Sequence, residues 1–117
     1  YYTEASIVLT QANNMGYAPI FFGVDGMDGI LSAENFDTKL AEGLYMLTPF
    51  AADAKDAATV KFVDAYQKNY GETPIQFAAD AYDAIYIIKA AIEQANVTPD
   101  QSIKEIGDAL TSTITTI

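Results

Sequence analysis

Two aspartates and two glycines follow directly on a short apolar run in the first part of the chain. The run extends from Ile20 to Val24, and Asp25, Gly26 and Asp28 come after it. An almost unbroken apolar run of this length is typical of a strand that is covered on both faces. In open parallel sheets, ligands bind beyond the carboxyl ends of the strands, so an acid and a glycine at such an end form a candidate ligand contact. The alternative interpretation is an Asp-Gly turn that only solvates a loop.

Other chemistries for the acidic residues are weaker hypotheses. Asp25 and Asp28 lack the alternating acidic ligands and the closing Glu of an EF-hand loop, so we predict no metal site. Asp80 and Asp83 lie one helical turn apart, but a solvated helix start explains that pair more simply than acid–base chemistry. No phosphate-binding glycine loop is present. We therefore predict no catalytic residues.

The composition excludes several functional classes. Six Lys and Arg stand against 16 Asp and Glu, which gives a formal net charge of −10 and repels nucleic acid and anionic membranes. The chain has no Cys, His, Trp or Arg. This absence excludes several types of site: zinc sites with the usual ligand sets, Ser-His-Asp and Cys-His catalytic arrangements, and disulfides. We predict no cofactor, no nucleic-acid partner and no membrane partner.

Helical spacing of apolar residues predicts two helices in the first 71 residues. One is capped by Thr3 and ends at Gly16, and the other is capped by Asp56 and ends at Gly71. Their expected buried positions are Ala5, Val8, Ala12 and Met15 in the first helix and Val60, Val63, Tyr66 and Tyr70 in the second.

Two Thr-Pro-x-Gln sequences, at residues 73–76 and 98–101, predict the starts of two further helices. Thr and Gln at this spacing can form a capping box, and Pro suits the first helical position. The longer helix is predicted from Pro74 to Gln94, and the last one continues through Leu110. The expected buried stripe of the longer helix is Ala81, Ala84, Ile85, Ile88, Ala91, Ile92 and Ala95. The β-branched residues 111–117 then predict an extended strand.

A second strand is predicted from Gly43 to Thr48, where Pro49 stops it. Alternation of short strands and helices favours the α/β class, with a mainly parallel sheet flanked by helices. No linker divides the 117 residues, so we predict one domain or lobe. Because the chain starts at Tyr1 and stops in a predicted strand, we expect residues 1–117 to be a partial lobe, truncated at both ends.

Five different groups of residues along the chain form a pattern through their order and spacing. They are Tyr1, Tyr2 and Glu4 with Gln11, Ala12 and Gly16; Phe22 to Gly26; Ala41 to Leu44 with Thr48 and Pro49; Phe62, Tyr66, Tyr70, Gly71 and Pro74; and Ala81 to Ala84. Their order and spacing resemble the second lobe of the type I periplasmic binding proteins, specifically the branched-chain amino acid binding proteins of ABC importers. The resemblance covers nearly the whole chain and rests on the set of segments, since no single one is diagnostic.

The resemblance implies a solute-binding function and a set of ligand-binding residues. Asp25, with Gly26 beside it, corresponds to the acceptor for the α-ammonium group of the ligand, while Tyr1 and Phe77 line or flank the cleft. The α-carboxylate site of the family lies in the other lobe. The resemblance further implies an amino acid ligand, branched-chain ones included, an ABC transporter permease as partner, an extracytoplasmic location and no enzymatic activity.

Two other classes of function fit parts of the pattern. One is a doubly wound enzyme or signalling domain that uses acids at strand ends, which would need acids converging with a Lys after a first strand, and no such strand is found. The other is a small interaction domain that self-associates through open sheet edges. Since both termini would expose strand partners, we also expect the 117-residue chain to pair with itself.

Overall fold

A computed structural model describes all residues from Tyr1 to Ile117. The helices are α1 (Tyr2–Asn14), α2 (Ala57–Tyr70), α3 (Gln76–Gln94) and α4 (Ile103–Ile114), and the strands are β1 (Phe22–Gly23) and β2 (Tyr45–Met46). Three short 3-10 turns, Asp25–Met27, Ile30–Ser32 and Thr38–Ala41, separate the two strands. None of the helices combines the length and the apolarity that a membrane crossing requires.

The chain divides into two compact units. The first, Tyr1–Phe77, contains α1, both strands, the three turns, α2 and the first two residues of α3. The second, Ala78–Ile117, contains the rest of α3 and all of α4. All four residues predicted to bind a ligand belong to the first unit.

The strands form a parallel pair in which Phe22 lies opposite Tyr45 and Gly23 lies opposite Met46. Both strands are shorter than the apolar runs that predicted them. The predicted α/β class is therefore confirmed only in part, because the fold is rich in helix and its parallel sheet has two strands.

The apolar run around β1 is covered on one face only. Gly23 is buried, and the side chain of Met27 packs against it. Ile20, Phe22 and Val24, which alternate with the residues of the covered face, are 82%, 71% and 57% exposed. The prediction of a strand covered on both faces is wrong, because an apolar run shows that both faces are apolar and does not show that both have a neighbour.

The first helix ends as predicted but begins elsewhere. It starts at Tyr2 without a side-chain cap, so the predicted cap at Thr3 is wrong. At its end Gly16 has a φ of +66°, and the N–H of Tyr17 donates to the carbonyl of Ala12 at 2.9 Å. This left-handed closing turn is the one that glycine favours.

The buried face of α1 agrees with the predicted stripe only at Ala12. Ser6 and Leu9 are buried beside it, whereas Val8 and Met15, which were predicted to be buried, are 55% and 73% exposed. The hydroxyl of Ser6 donates to the carbonyl of Thr3 at 2.7 Å, which satisfies this polar group inside the core. A prediction from apolar periodicity assigns serine to the exposed face, so the predicted stripe omitted Ser6.

The second helix is bounded as predicted. The carboxylate of Asp56 accepts from the backbone N–H of Thr59 at 2.9 Å, and Gly71 closes the helix at a φ of +76°. Of the four positions predicted to be buried, only Val63 is buried. The two predicted ends of the helix are thus confirmed, whereas three of the four positions predicted to be buried are not buried.

The third helix begins at Gln76 and not at Pro74, and it ends at Gln94 as predicted. Within its predicted buried stripe only Ala91 is fully covered, while Ile85 and Ile88 are 65% and 43% exposed. Helical periodicity identifies which face is apolar, and a neighbour must be present before that face becomes core.

The fourth helix starts four residues later than the predicted capping box implies. Ser102 is its cap and forms a capping box with Glu105, whose backbone N–H donates to the Ser102 hydroxyl at 3.3 Å. The Thr98 N–H does donate to the side-chain oxygen of Gln101 at 2.8 Å, but this pair closes a turn ahead of the helix.

The predicted strand at residues 111–117 is wrong, because α4 continues to Ile114 and the chain then turns. The hydroxyls of Ser112 and Thr113 donate to the carbonyl of Ala109 at 3.0 and 2.8 Å. Such bonds to the preceding turn let Ser and Thr lie within a helix, so β propensity is overridden here.

Candidate functional site

The four predicted ligand-binding residues lie at the ends of secondary-structure elements in the first unit. Tyr1 immediately precedes α1, and Phe77 is the second residue of α3. Asp25 and Gly26 open the 3-10 turn that follows β1. The turn therefore stands at the carboxyl end of a parallel strand, the position at which open parallel sheets bind ligands.

Three of these residues come together. The ring centroids of Tyr1 and Phe77 are 6.1 Å apart and their planes are inclined by 50°. A methyl group placed on Gly26 would lie 3.8 Å from Cδ1 and 3.9 Å from Cα of Tyr1, which is ordinary van der Waals contact. The backbone of Gly26 thus packs beside Tyr1, and the turn after β1 adjoins an aromatic pair.

The fourth residue, Asp25, directly precedes Gly26 and is exposed. Its backbone carbonyl accepts from the N–H of Asp28 at 2.9 Å, which closes the 3-10 turn. Its carboxylate has no hydrogen-bond or salt-bridge partner within the chain. The negative charge of Asp25 is therefore available to a cation from outside the chain.

A second acid of the same turn, Asp28, has a structural role that the sequence did not reveal. Its Oδ2 accepts from the backbone N–H of Gln76 at 2.5 Å, and its Oδ1 accepts from the N–H of Gly29 at 3.0 Å. A carboxylate at this place satisfies a free N–H at the start of α3 and complements the positive end of that helix. Asp28 thereby fixes the turn after β1 to the residue that precedes Phe77.

The segment after β2 joins the same network through Gln76, which is only 1% exposed. Oε1 of Gln76 lies 2.8 Å from the hydroxyl oxygen of Thr48, and that oxygen accepts from the N–H of Phe50 at 3.3 Å. The sequence assigned Gln76 to a capping box with Thr73, and the structure corrects this, since its side chain bonds across the fold. The carboxyl ends of both strands and the start of α3 are thus tied together.

Close packing surrounds Gly29 in this network. Its φ is +94°, and a β-carbon there would lie 3.1 Å from Cδ1 of Ile75 and 3.3 Å from Cδ1 of Tyr2. Both the backbone conformation and the two neighbours favour glycine over any other residue.

A cavity of about 620 Å³ lies beside the network and is lined by Tyr2, Asp28, Met46, Tyr66 and Ile75 among others. Its size is within the range of small-molecule pockets. Tyr1, Asp25, Gly26 and Phe77 do not line it. The predicted ligand contacts therefore do not form the walls of this cavity.

The groups present at the site are suited to binding a small ligand. It presents a carboxylate without a partner, a backbone turn and two aromatic rings, and Tyr1 is 79% exposed. No three acidic side chains of the chain lie close enough together to hold a metal ion. An ammonium group and an apolar body are the ligand features that a carboxylate and aromatic walls would bind.

Comparison with known proteins agrees with the resemblance inferred from the sequence. The sequence model of the family described as periplasmic binding protein matches residues 3–115. Among solved structures, the branched-chain amino acid transporter substrate binding protein LivJ from Streptococcus pneumoniae, in complex with isoleucine, is similar with a TM-score of 0.66 and 27% sequence identity. The similarity covers 94% of this chain and 30% of that chain.

No protein with a curated description matches the chain. The family model nevertheless extends over nearly all of it, and the structural match covers almost the same length. The predicted resemblance is confirmed, and the chain belongs to the periplasmic binding protein family.

Proposed function

We propose that the chain forms part of the cleft in which a substrate-binding protein of an ABC importer holds an amino acid. The observation that supports this most directly is the packing of Tyr1, Phe77 and Gly26, together with an unpartnered carboxylate on Asp25, the residue that directly precedes Gly26. The family and the isoleucine bound to LivJ support an amino acid as the ligand. The role is binding without catalysis.

Each of these residues has a role that follows from its chemistry. Asp25 accepts a charge-assisted hydrogen bond from the ligand ammonium group, a bond about twice as strong as a neutral one. The rings of Tyr1 and Phe77 flank the ligand and cover its apolar side chain. Gly26 has no side chain, so the ligand can approach the backbone beside Tyr1.

The chain supplies only part of such a site. We propose that residues 1–117 are a partial lobe of a two-lobed protein, and that groups of the other lobe bind the α-carboxylate. Closure of two lobes around a ligand is a hinge motion, and it needs both lobes. The two-lobed protein would be extracytoplasmic and would deliver its ligand to a transporter permease.

An amino acid panel titrated into the two-lobed protein by calorimetry tests the function. We expect micromolar binding of at least one aliphatic amino acid, about −8 kcal/mol, and no better than about millimolar binding, near −4 kcal/mol, by residues 1–117 alone. Absence of binding across the panel would contradict the amino acid as ligand. Tight binding by residues 1–117 alone would contradict the division of the site between two lobes.

A further inference from the structure

Gly23 is the buried position of β1, although it has no side chain to bury. The residues on either side of it, Phe22 and Val24, are 71% and 57% exposed. A β-carbon on Gly23 would overlap the sulfur of Met27 and would lie 3.3 Å from both Cγ and Cε of that residue. The thioether of Met27 therefore occupies the space that a side chain at residue 23 would need.

This contact joins the end of the 3-10 turn to the strand that precedes it, because Met27 is the last residue of that turn. The backbone adds a second link, in which the N–H of Met27 donates to the carbonyl of Val24 at 2.9 Å. Asp25 and Gly26 are the two residues enclosed by these links. Their positions are therefore set by β1 on one side and by the packed side chain of Met27 on the other.

The other contacts of the turn do not place Asp25 in this way. The carboxylate of Asp28 bonds to the N–H of Gln76, which ties residue 28 to α3 and not to β1. The carboxylate of Asp25 is exposed and has no partner within the chain, so no contact of its own side chain sets its location. The location of this carboxylate depends on the backbone of the turn.

We propose that Met27 is a positioning residue for ligand binding, because its packing on Gly23 sets the place of the Asp25 carboxylate and of the Gly26 backbone. This inference rests on the proposed function, in which Asp25 binds an ammonium group. Met27 acts through Asp25 and Gly26, and no contact between Met27 and the ligand is required. A hydrogen bond weakens steeply as its geometry departs from the ideal, so a shift of the turn should reduce affinity even when the carboxylate is retained.

The contact depends on the shape of residue 27 and on the absence of a side chain at residue 23. Methionine is unbranched and fills irregular gaps, and leucine of similar volume usually replaces it at little cost. Alanine at residue 27 would leave the space beside Gly23 empty. The φ angle of Gly23 is not positive, so alanine at residue 23 meets no left-handed backbone and its effect comes from crowding alone.

Calorimetry on the two-lobed protein with the standard amino acids tests the proposal, and the probe is the amino acid that the unmodified protein binds most tightly. Met27→Ala should weaken its binding about tenfold, while Met27→Leu should change it by less than about threefold. Val63→Ala is the control for lost stability, since Val63 is buried in α2, which carries no proposed ligand-binding residue. It should lower the melting temperature without changing the affinity.

A double-mutant cycle separates positioning from a general loss of packing. Gly23→Ala should weaken binding about tenfold in the unmodified protein, because the new methyl group displaces the thioether of Met27. In the Met27→Ala background the same substitution meets no thioether and should weaken binding by less than about threefold. Circular dichroism checks that each variant retains the helices.

The expected result is weakened binding by Met27→Ala and Gly23→Ala, near-normal binding by Met27→Leu and Val63→Ala, and a double variant weaker by less than the product of the two separate effects. Unchanged affinity of Met27→Ala, in a protein that binds an amino acid, would overturn the proposal and leave the proposed function intact. Separate effects that simply multiply in the double variant would also overturn it, since Gly23 and Met27 would then act independently. An unmodified protein that binds no amino acid would instead contradict the proposed function, and the role of Met27 with it.

Discussion

Oδ2 of Asp28 accepts a hydrogen bond from the backbone N–H of Gln76 at 2.5 Å, across 48 positions of the sequence. This bond joins the turn after β1 to the first residue of α3. Phe77 follows Gln76 and packs on Tyr1 with a ring separation of 6.1 Å. Asp28 is thus a positioning residue for the aromatic pair of the proposed binding site.

Removal of this carboxylate should destabilise the first unit. Asp28→Ala leaves the backbone N–H groups of Gln76 and Gly29 without their acceptors, which should lower the free energy of unfolding by about 1–3 kcal/mol. Urea denaturation measures the change. The matched control is Asp25→Ala in the same turn, whose carboxylate has no partner and whose loss should change the free energy by less than about 0.5 kcal/mol. Equal effects of the two substitutions would rule out the positioning role of Asp28.

Gly29 should tolerate alanine worse than a glycine in open space. Gly29→Ala combines a left-handed backbone, worth roughly 1–2 kcal/mol, with contacts to the side chains of Ile75 and Tyr2 that are tighter than ordinary van der Waals contact and require these side chains to shift. Gly43→Ala is the control, because Gly43 has a similar φ of +77° and no atom near its missing side chain. The difference between the two melting temperatures reports the crowding alone, and a difference of zero would show that the neighbours move aside.

The cap of α2 should make the helix sensitive to acid. The backbone N–H of Thr59 holds the pKa of Asp56 below its usual value of 3.8. A carboxyl whose pKa is lowered by folding contributes its stability above the unfolded pKa and loses it as the pH falls through the folded pKa. The contribution of Asp56 should therefore be present well above its unfolded pKa of about 3.9 and be lost progressively as the pH falls below that value through the folded pKa.

A titration followed by circular dichroism at 222 nm measures this loss. Asp56→Asn is the control, since Asn also caps helices but does not titrate. We compare the loss of helical signal between neutral and low pH in the two proteins. This loss should be larger for the unmodified chain than for Asp56→Asn. Parallel titration curves for the two proteins would show that the Asp56 carboxylate does not contribute.

Short-range features of the fold were accessible from the sequence. The cap at Asp56 and the closing glycines Gly16 and Gly71 are confirmed, because each depends on residues within one helical turn. The predicted starts of α3 and α4 were wrong, because both were taken from a Thr-Pro-x-Gln pattern. In neither case does the Thr of that pattern cap the helix: α3 begins at Gln76, and α4 is capped by Ser102.

Long-range features were not accessible in the same way. The bond between Asp28 and Gln76 joins positions that no local pattern connects, so no role of Asp28 beyond the turn could be predicted. The grouping of Tyr1, Gly26 and Phe77 came from the resemblance to the family and not from periodicity. Most positions predicted to be buried in α1 and α3 are exposed for a related reason. An apolar stripe identifies the apolar face of a helix, but it does not identify the element that packs on that face.

Calorimetry on the two-lobed protein and its Asp25→Asn variant tests the central claim most directly. Loss of the charge-assisted bond to the ligand ammonium group should weaken binding of the preferred amino acid by about ten- to a hundredfold. Asp53→Asn is the matched control, since Asp53 is an exposed acid in the turn before α2 and makes the same change in charge. The account predicts unchanged affinity for the control and weakened affinity for Asp25→Asn. Equal affinities of Asp25→Asn and the unmodified protein would contradict it and would leave Asp25 as a turn residue.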